Sequence, residues 1–210
     1  MRLGIISDIH GNLPALEAVA EQLRGVDQVI CLGDVVNYGP WSNECLDFLQ
    51  TLPRLILLEG NHEALFLGRE DPAGELLLVQ QFYRTTVAGF DRHEAIRDLP
   101  LEWVGAGYLF RHTLDGLKIY PNTPFVPLRD SVIGHSHCAF KSEREGRRLI
   151  NPGSVGQNRT ALERACFAIL DSESGEIELR ETTYPVRLLL SEMRARSYPA
   201  ECLAYYQSKL

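Results

Sequence analysis

The sequence predicts an α/β layered fold from three observations. Short apolar runs at residues 3–7, 29–32 and 55–58 each give way to polar residues at their carboxyl ends. Helix signals separate these runs, and beyond Gly107 the texture changes to a series of further strand-like runs. Short buried strands alternating with helices need crossover connections, which collect polar residues along the carboxyl edge of a sheet.

The run at residues 3–7 reads as the first strand. Asn12 and Pro14 then supply a cap and a first turn, opening a helix whose apolar face is Leu16, Val19, Ala20 and Leu23. Residues 29–32 form a second strand ending at Gly33, and Asn43 is expected to cap a helix through Leu46 and Leu49. A third strand at 55–58 ends at Gly60. A helical excursion follows, from residue 63 to about 98–105, expected near the mouth of any site built on these strand ends. The later strand-like runs are 108–111, 117–120, 131–133, 148–150, 165–171 and 176–180, with Gly175 supplying a hairpin turn. A final amphipathic helix over about 185–208 places Val186, Leu189, Leu190 and Met193 on one face to cover a sheet.

At 210 residues and 45% hydrophobic, the chain fits one domain spanning 1–210. Its formal charge of −7 argues against a sequence-independent hold on nucleic acid, which needs a basic face. The five cysteines are widely spaced, without a Cys-x-x-Cys pair, so reduced thiols are expected rather than disulfides or a thiolate metal site. No apolar stretch approaches the ~20 residues of a spanning helix, which places the expected location in the cytoplasm, away from membranes. A homo-oligomer is left open.

Four polar clusters follow apolar runs: Asp8-Ile9-His10, Gly33-Asp34, Gly60-Asn61-His62-Glu63 and Gly134-His135-Ser136-His137. Taken singly, each has an ordinary explanation as a helix cap or a turn. Together with His112 they place five of the six histidines at strand ends facing one crevice, a pattern that packing does not require. His135 and His137 are expected to share a site because alternate residues of an extended segment point the same way. Carboxylate, imidazole and amide donors without thiolate suit Mn²⁺, the favoured ion, or Fe²⁺, Zn²⁺, Ni²⁺ or Co²⁺. Seven donors, Asp8, His10, Asp34, Asn61, His112, His135 and His137, exceed the needs of one ion that keeps an open position. Two ions about 3.5–4 Å apart sharing a carboxylate distribute them sensibly.

These blocks, in this order, resemble those of the calcineurin-like metallophosphoesterases, and Asn151-Pro152-Gly153-Ser154-Val155-Gly156-Gln157 is similar to the motif that follows in bacterial members. The resemblance implies a four-layer αββα sandwich of two mixed sheets flanked by helices, with two divalent ions at the sheet edges. It assigns Asp8, His10, Asp34 and His137 to one ion, and Asp34, Asn61, His112 and His135 to the other. It implies attack on phosphorus by a hydroxide bridging the ions, with His62 as general acid to the leaving oxygen.

Three positions depart from the family pattern. Where the protein phosphatase branch has an Asp and an Arg, this chain has Asn37 and Tyr38. Asn37 is expected to accept a hydrogen bond from His62, and Tyr38 brings substrate contact without positive charge. A phosphodiester, with one negative charge rather than two, then fits better than a phosphoprotein monoester. The fifth block is Arg111-His112-Thr113 rather than His-Gly, and Arg159 stands where it can reach a phosphate. His93 is expected to be a solvated helix residue, and Arg144, Arg147 and Arg148 a solvated hairpin. The substrate expected is a small or nucleotide-derived phosphodiester. The alternatives are a phosphomonoester or dinucleoside-polyphosphate hydrolase, and a non-catalytic scaffold of the same fold.

Overall fold

The computed structural model describes residues 1–210. The first half of the chain runs β1 (Arg2–Ile6), α1 (Leu13–Gln22), β2 (Gln28–Cys31), α2 (Ser42–Leu49), β3 (Ile56–Leu57), α3 (Asn61–Phe66), α4 (Leu77–Val87) and α5 (His93–Ile96). There follow β4 (Glu102–Gly105), β5 (Tyr108–Arg111), β6 (Ser131–Val132), β7 (Phe140–Arg144), β8 (Arg147–Asn151), β9 (Arg164–Asp171), β10 (Glu176–Thr183), α6 (Val186–Ala195) and α7 (Ala200–Gln207). Two five-stranded sheets form, ordered β10-β9-β1-β2-β3 and β4-β5-β6-β8-β7, and each mixes parallel and antiparallel pairs.

Side-chain alternation along the strands stacks the layers. Leu3 and Ile5 of β1 and Ile30 of β2 meet Tyr108, Phe110, Val132 and Ile150 between the sheets. Their neighbours Ile6, Val29 and Cys31 point the other way and bury the apolar faces of the helices. Helices therefore cover the outer face of the first sheet, beside the stack of two mixed sheets. On the outer face of the second sheet, Leu114, Ile119 and Phe125 of the 113–130 segment cover Ile133, Phe140 and Leu149. The sheets' shared edge, at the carboxyl ends of β1, β2, β3, β5 and β6, is where the polar clusters emerge.

Local chemistry explains most boundaries. Asn12 caps α1 by accepting from the Ala15 N–H at 3.3 Å, with Pro14 in the first turn. Leu16, Val19 and Leu23 are buried as expected, and Ala20 is half-buried. Asn43 is not a cap: Trp41 holds that position, and Asn43 lies inside α2, where its side chain bonds Gly89 O and the Asp91 N–H.

Other differences come from tight turns. The expected strand at 117–120 is coil, because Asp115 and Gly116 adopt positive φ (54° and 68°) and fold Leu117 back onto Leu114. The helical excursion stops at α5, and β4 occupies the stretch expected to be helical up to 105; Ala106 and Gly107, with φ of 48° and 83°, turn β4 into β5. Glu145 and Gly146 do the same between β7 and β8, so β7 is a strand that the sequence pattern did not announce. The single C-terminal helix is two, broken where Ser197 takes φ of 56° and Pro199 follows. Arg148 is not merely solvated: it pairs with Asp130 at 2.7 Å and lies over the Tyr108 ring. No helix is long and apolar enough to cross a membrane.

Candidate metal centre

The strand ends do not simply point their residues into a crevice; the backbone bends sharply to do so. Asp8, His10, Asp34, Asn37, Tyr38, His135 and His137 all have φ between 50° and 71°. For non-glycine residues this left-handed region costs on the order of 1–2 kcal/mol each, less for Asp and Asn. Burying a single Leu or Ile side chain returns about 1.5–3 kcal/mol, and the core beneath these turns is extensive. The fold can therefore hold such strain at one edge. This corrects the expectation that His135 and His137 lie on an extended segment, since with φ of 66° and 59° they project from a turn and join different clusters.

Asp8, His10 and His137 bring ligand atoms together, and so do Asp34, His112 and His135. A third grouping, His10, Asp34 and His62, overlaps the first two. Asp34 Oδ2 lies 3.2 Å from His112 Nε2 and 3.8 Å from both His10 Nε2 and His62 Nε2. One carboxylate thus sits between the two donor sets. Asn61 joins the second set, its Oδ1 3.1 Å from His112 Nε2.

The hydrogen bonds behind the rings set their tautomers. His10, His112 and His137 each direct Nδ1 at a backbone carbonyl, of Val36, Leu32 and Gln157, at 3.2, 3.0 and 2.8 Å. A carbonyl can only accept, so each Nδ1 donates and each neutral ring turns its Nε2 lone pair inward. His10 Nε2 and His137 Nε2 then face one another at 3.2 Å with no proton available to either. Beside them the buried Asp8 Oδ1 has no hydrogen-bond partner, at 3.3 Å from His137 Nε2. Two facing lone pairs and an orphaned carboxylate oxygen are an unfavourable cluster by themselves and a suitable one around a cation, so the residues fit a divalent ion.

Protonation follows from the same surroundings. Burial holds His10 and His137 well below the ordinary histidine value, and burial with the nearby His112 pulls His135 down to about 3. Burial raises Asp8 to about 6. His112 is the exception: burial opposes its charge, but Asp34 beside it, joined by Asp8 and Glu63, outweighs burial and pushes the ring up to about 9. At pH 7 only His112 must lose a proton before its ring can bind a metal. Metal loading at that pH is therefore expected to release close to one proton from the ring set, and apparent affinity should climb about tenfold per pH unit until near 9. Calorimetry in two buffers of different ionisation enthalpy measures this; release of three or more protons would show that the other rings are charged.

A second layer holds the turns in place. Glu63, fully buried, accepts from the backbone N–H groups of Asp34, Val35, Val36 and Gly60 at 2.8, 2.7, 3.2 and 2.9 Å. It fastens the Asp34 turn to the start of α3, a role its place beside His62 did not disclose. Asn151 Nδ2 donates to Gly134 O at 2.6 Å and to Ser136 Oγ at 3.1 Å, bracing the turn that carries His135 and His137. Ser154 Oγ donates to Asp8 O at 2.7 Å. The Asn151 to Gln157 block is thus a brace beneath the site. A Cβ on Gly60 would fall on Asp34 Oδ1, which is why that position is glycine.

Asn37 meets His62 differently from the expectation. Its Oδ1 is taken by the Tyr38 N–H at 2.7 Å, so the amide turns Nδ2 toward His62 Nδ1 at 2.9 Å. Asn37 donates rather than accepts. Tyr38 is buried, its ring packed against His10, His62 and Phe82 at centroid distances of 4.8, 5.2 and 4.7 Å. A cavity of about 620 Å³ opens over the cluster, lined by Asp34, Asn61, His62, His112, His135, His137, Tyr38 and Arg159. Lys118 and Tyr205, which no sequence motif singled out, line it too, and His93 stands away from it against Phe90. Residues of the helical excursion, including Glu75, Leu76 and Val79, form one rim.

The model of the calcineurin-like phosphoesterase superfamily domain matches residues 1–175. The chain belongs to this superfamily. Members of it use divalent metals, in keeping with the two donor sets. The chain is 30% identical over 223 aligned positions to an uncharacterized protein from Methanocaldococcus jannaschii, covering 88% of each. It superposes on a metallophosphoesterase structure from Sphaerobacter thermophilus with a TM-score of 0.82 and 25% identity, covering 100% of this chain and 99% of that one. Phosphodiesterase YfcE from Escherichia coli is 50% identical over 42 residues, 19% of this chain and 23% of that protein.

Proposed function

We propose that the protein hydrolyses a phosphodiester at a centre of two divalent metal ions, with Mn²⁺ favoured. The observation that carries this reading is the Asp34 carboxylate, which groups with His112 and His135 of one donor set and lies 3.8 Å from His10 Nε2 of the other. Asp8, His10, Asp34 and His137 would hold one ion, and Asp34, Asn61, His112 and His135 the other. When bound, the ions supply Lewis acidity, easing ionisation of water and screening the charge on phosphoryl oxygens.

The chain's own residues do the rest. Carbonyl-anchored rings keep the donors aimed without reorganisation, and Glu63 and Asn151 keep the turns from relaxing. His62, 3.8 Å from Asp34 Oδ2 through Nε2, presents an Nε2–H to the cavity because Asn37 occupies Nδ1. That N–H serves the departing oxygen as negative charge develops there. A full proton transfer from His62 requires hydrogen on Nδ1 as well, and so requires the Asn37 amide to reverse against the Tyr38 N–H that its Oδ1 accepts.

Two features favour a diester. A cavity of about 620 Å³ has room for substituents on both sides of a phosphorus atom, where a monoester has one. The Tyr38 position supplies no guanidinium for a second phosphate charge. The short match to a protein named phosphodiesterase points the same way. A scaffold reading is disfavoured because every proposed ligand and His62 are present. The metal-loaded protein is expected to turn over bis-p-nitrophenyl phosphate faster than p-nitrophenyl phosphate; the reverse order would replace this reading with the monoesterase alternative.

A further inference from the structure

Three cations line the cavity: Arg111, Lys118 and Arg159. Arg111 has a partner, Glu102 at 3.7 Å. Lys118 and Arg159 have no carboxylate within ion-pairing distance, and Arg159 Nε is buried without any hydrogen-bond partner. Glu75 across the mouth forms no ion pair with Lys118, and Glu59 is already taken by Arg69. Leaving a partly buried guanidinium unpaired costs stability that a bound anion would return.

The two cations are neighbours on one cavity: burial and then the nearby Arg159 hold Lys118 below the ordinary lysine value. Arg159 follows Gln157, whose carbonyl anchors His137, and its charge helps keep that ring neutral. Lys118 lies beyond His112 on the loop after β5, and its charge acts on His135 and His62. The scissile phosphate of a diester carries one negative charge, which two divalent ions already serve. Two more cations call for a second anionic group on the substrate. The same cavity has a stretch of another character: Leu76 and Leu101 line it at 77% and 59% exposure, and the Glu70 and Glu75 carboxylates line it too. Apolar surface fringed by acceptors suits the face and N–H groups of a nucleobase.

We propose that the substrate is a nucleotide-type diester bearing a second, free phosphate, held by Lys118 and Arg159 while its base rests on Leu76 and Leu101. This rests on the phosphodiesterase reading and adds the substrate class to it.

The test compares the p-nitrophenyl ester of thymidine monophosphate with and without a second phosphate on the sugar, using the metal-loaded full chain. The second phosphate is expected to raise kcat/KM at least tenfold, chiefly through KM. Lys118→Gln and Arg159→Gln should each pull that ratio toward one, and Lys118→Arg should keep it. Because each variant is scored by a ratio, partial misfolding cancels. A ratio of one in the unaltered protein, or an unchanged ratio in both Gln variants, overturns the proposal. Failure to hydrolyse either compound would instead overturn the phosphodiesterase reading beneath it.

Discussion

Asp34→Asn is expected to strip the protein of both metal ions and to lower hydrolysis more than 100-fold. Partners that only orient a metal's ligands are worth about 10–100-fold, and Asp34 is proposed to ligate both ions itself. The substitution removes charge and little else. The introduced amide oxygen can still accept from the His62 N–H, which Asp34 Oδ1 now does at 2.9 Å, so the start of α3 should stay in place. Loss of the carboxylate also relieves Asp8, whose raised pKa owes part of its shift to Asp34 after burial. Against that, His112 loses the carboxylate 3.2 Å from its Nε2 that pairs with its charge, so the metal-free variant should melt below the metal-free parent. Elemental analysis of the purified protein, an activity assay and a thermal melt decide the matter together. A variant that still carries two ions per chain and still turns over would show that Asp34 is not the shared ligand.

How far the sequence foretold this arrangement depends on how far apart the cooperating residues lie in the chain. Asp8, His10, Asp34, Asn61, His62, His112, His135 and His137 were legible because each directly follows an apolar run, and strand ends converge in an α/β sheet. Assignment of the donors to two ions sharing Asp34 came from donor number and the family pattern; the structure groups Asp34 with His112 and His135 and sets it 3.8 Å from His10 Nε2. The way they are aimed was not legible. A motif shows neither the left-handed turns at His135 and His137 nor the carbonyls of Val36, Leu32 and Gln157 that set the tautomers. Glu63 was visible in its block, yet its four backbone donors come from a loop 27 to 29 residues away as well as from Gly60. Lys118 carried no signal at all, because its loop read as a strand. The hairpins at 106–107 and 145–146 were missed for a simpler reason. Ala-Gly and Glu-Gly are weaker turn signals than Asn-Gly, although the backbone takes the same positive φ.

His62→Ala is expected to slow turnover by about 10²–10³ on an ester with a strongly basic leaving group while metal content stays unchanged, the cost of losing one aligned donor to a developing oxyanion. The loss should be smaller for p-nitrophenyl esters, whose leaving group needs less help. This follows from where the ring's hydrogens are. Asn37 Oδ1 is committed to the Tyr38 N–H, so Asn37 Nδ2 donates into His62 Nδ1 and leaves hydrogen on Nε2. Burial keeps the ring below the ordinary histidine value despite the pull of Asp34, so it is neutral at pH 7 and acts there as a hydrogen-bond donor. Asn37→Asp would reverse that arrangement: a carboxylate accepts from Nδ1–H, favours the charged ring and should move the alkaline limb of the rate profile to higher pH. An equal loss with good and poor leaving groups in His62→Ala would mean that the ring does not serve the departing oxygen. Metal lost in step with activity would instead make it a ligand, a role its 3.8 Å approach to Asp34 Oδ2 leaves geometrically open.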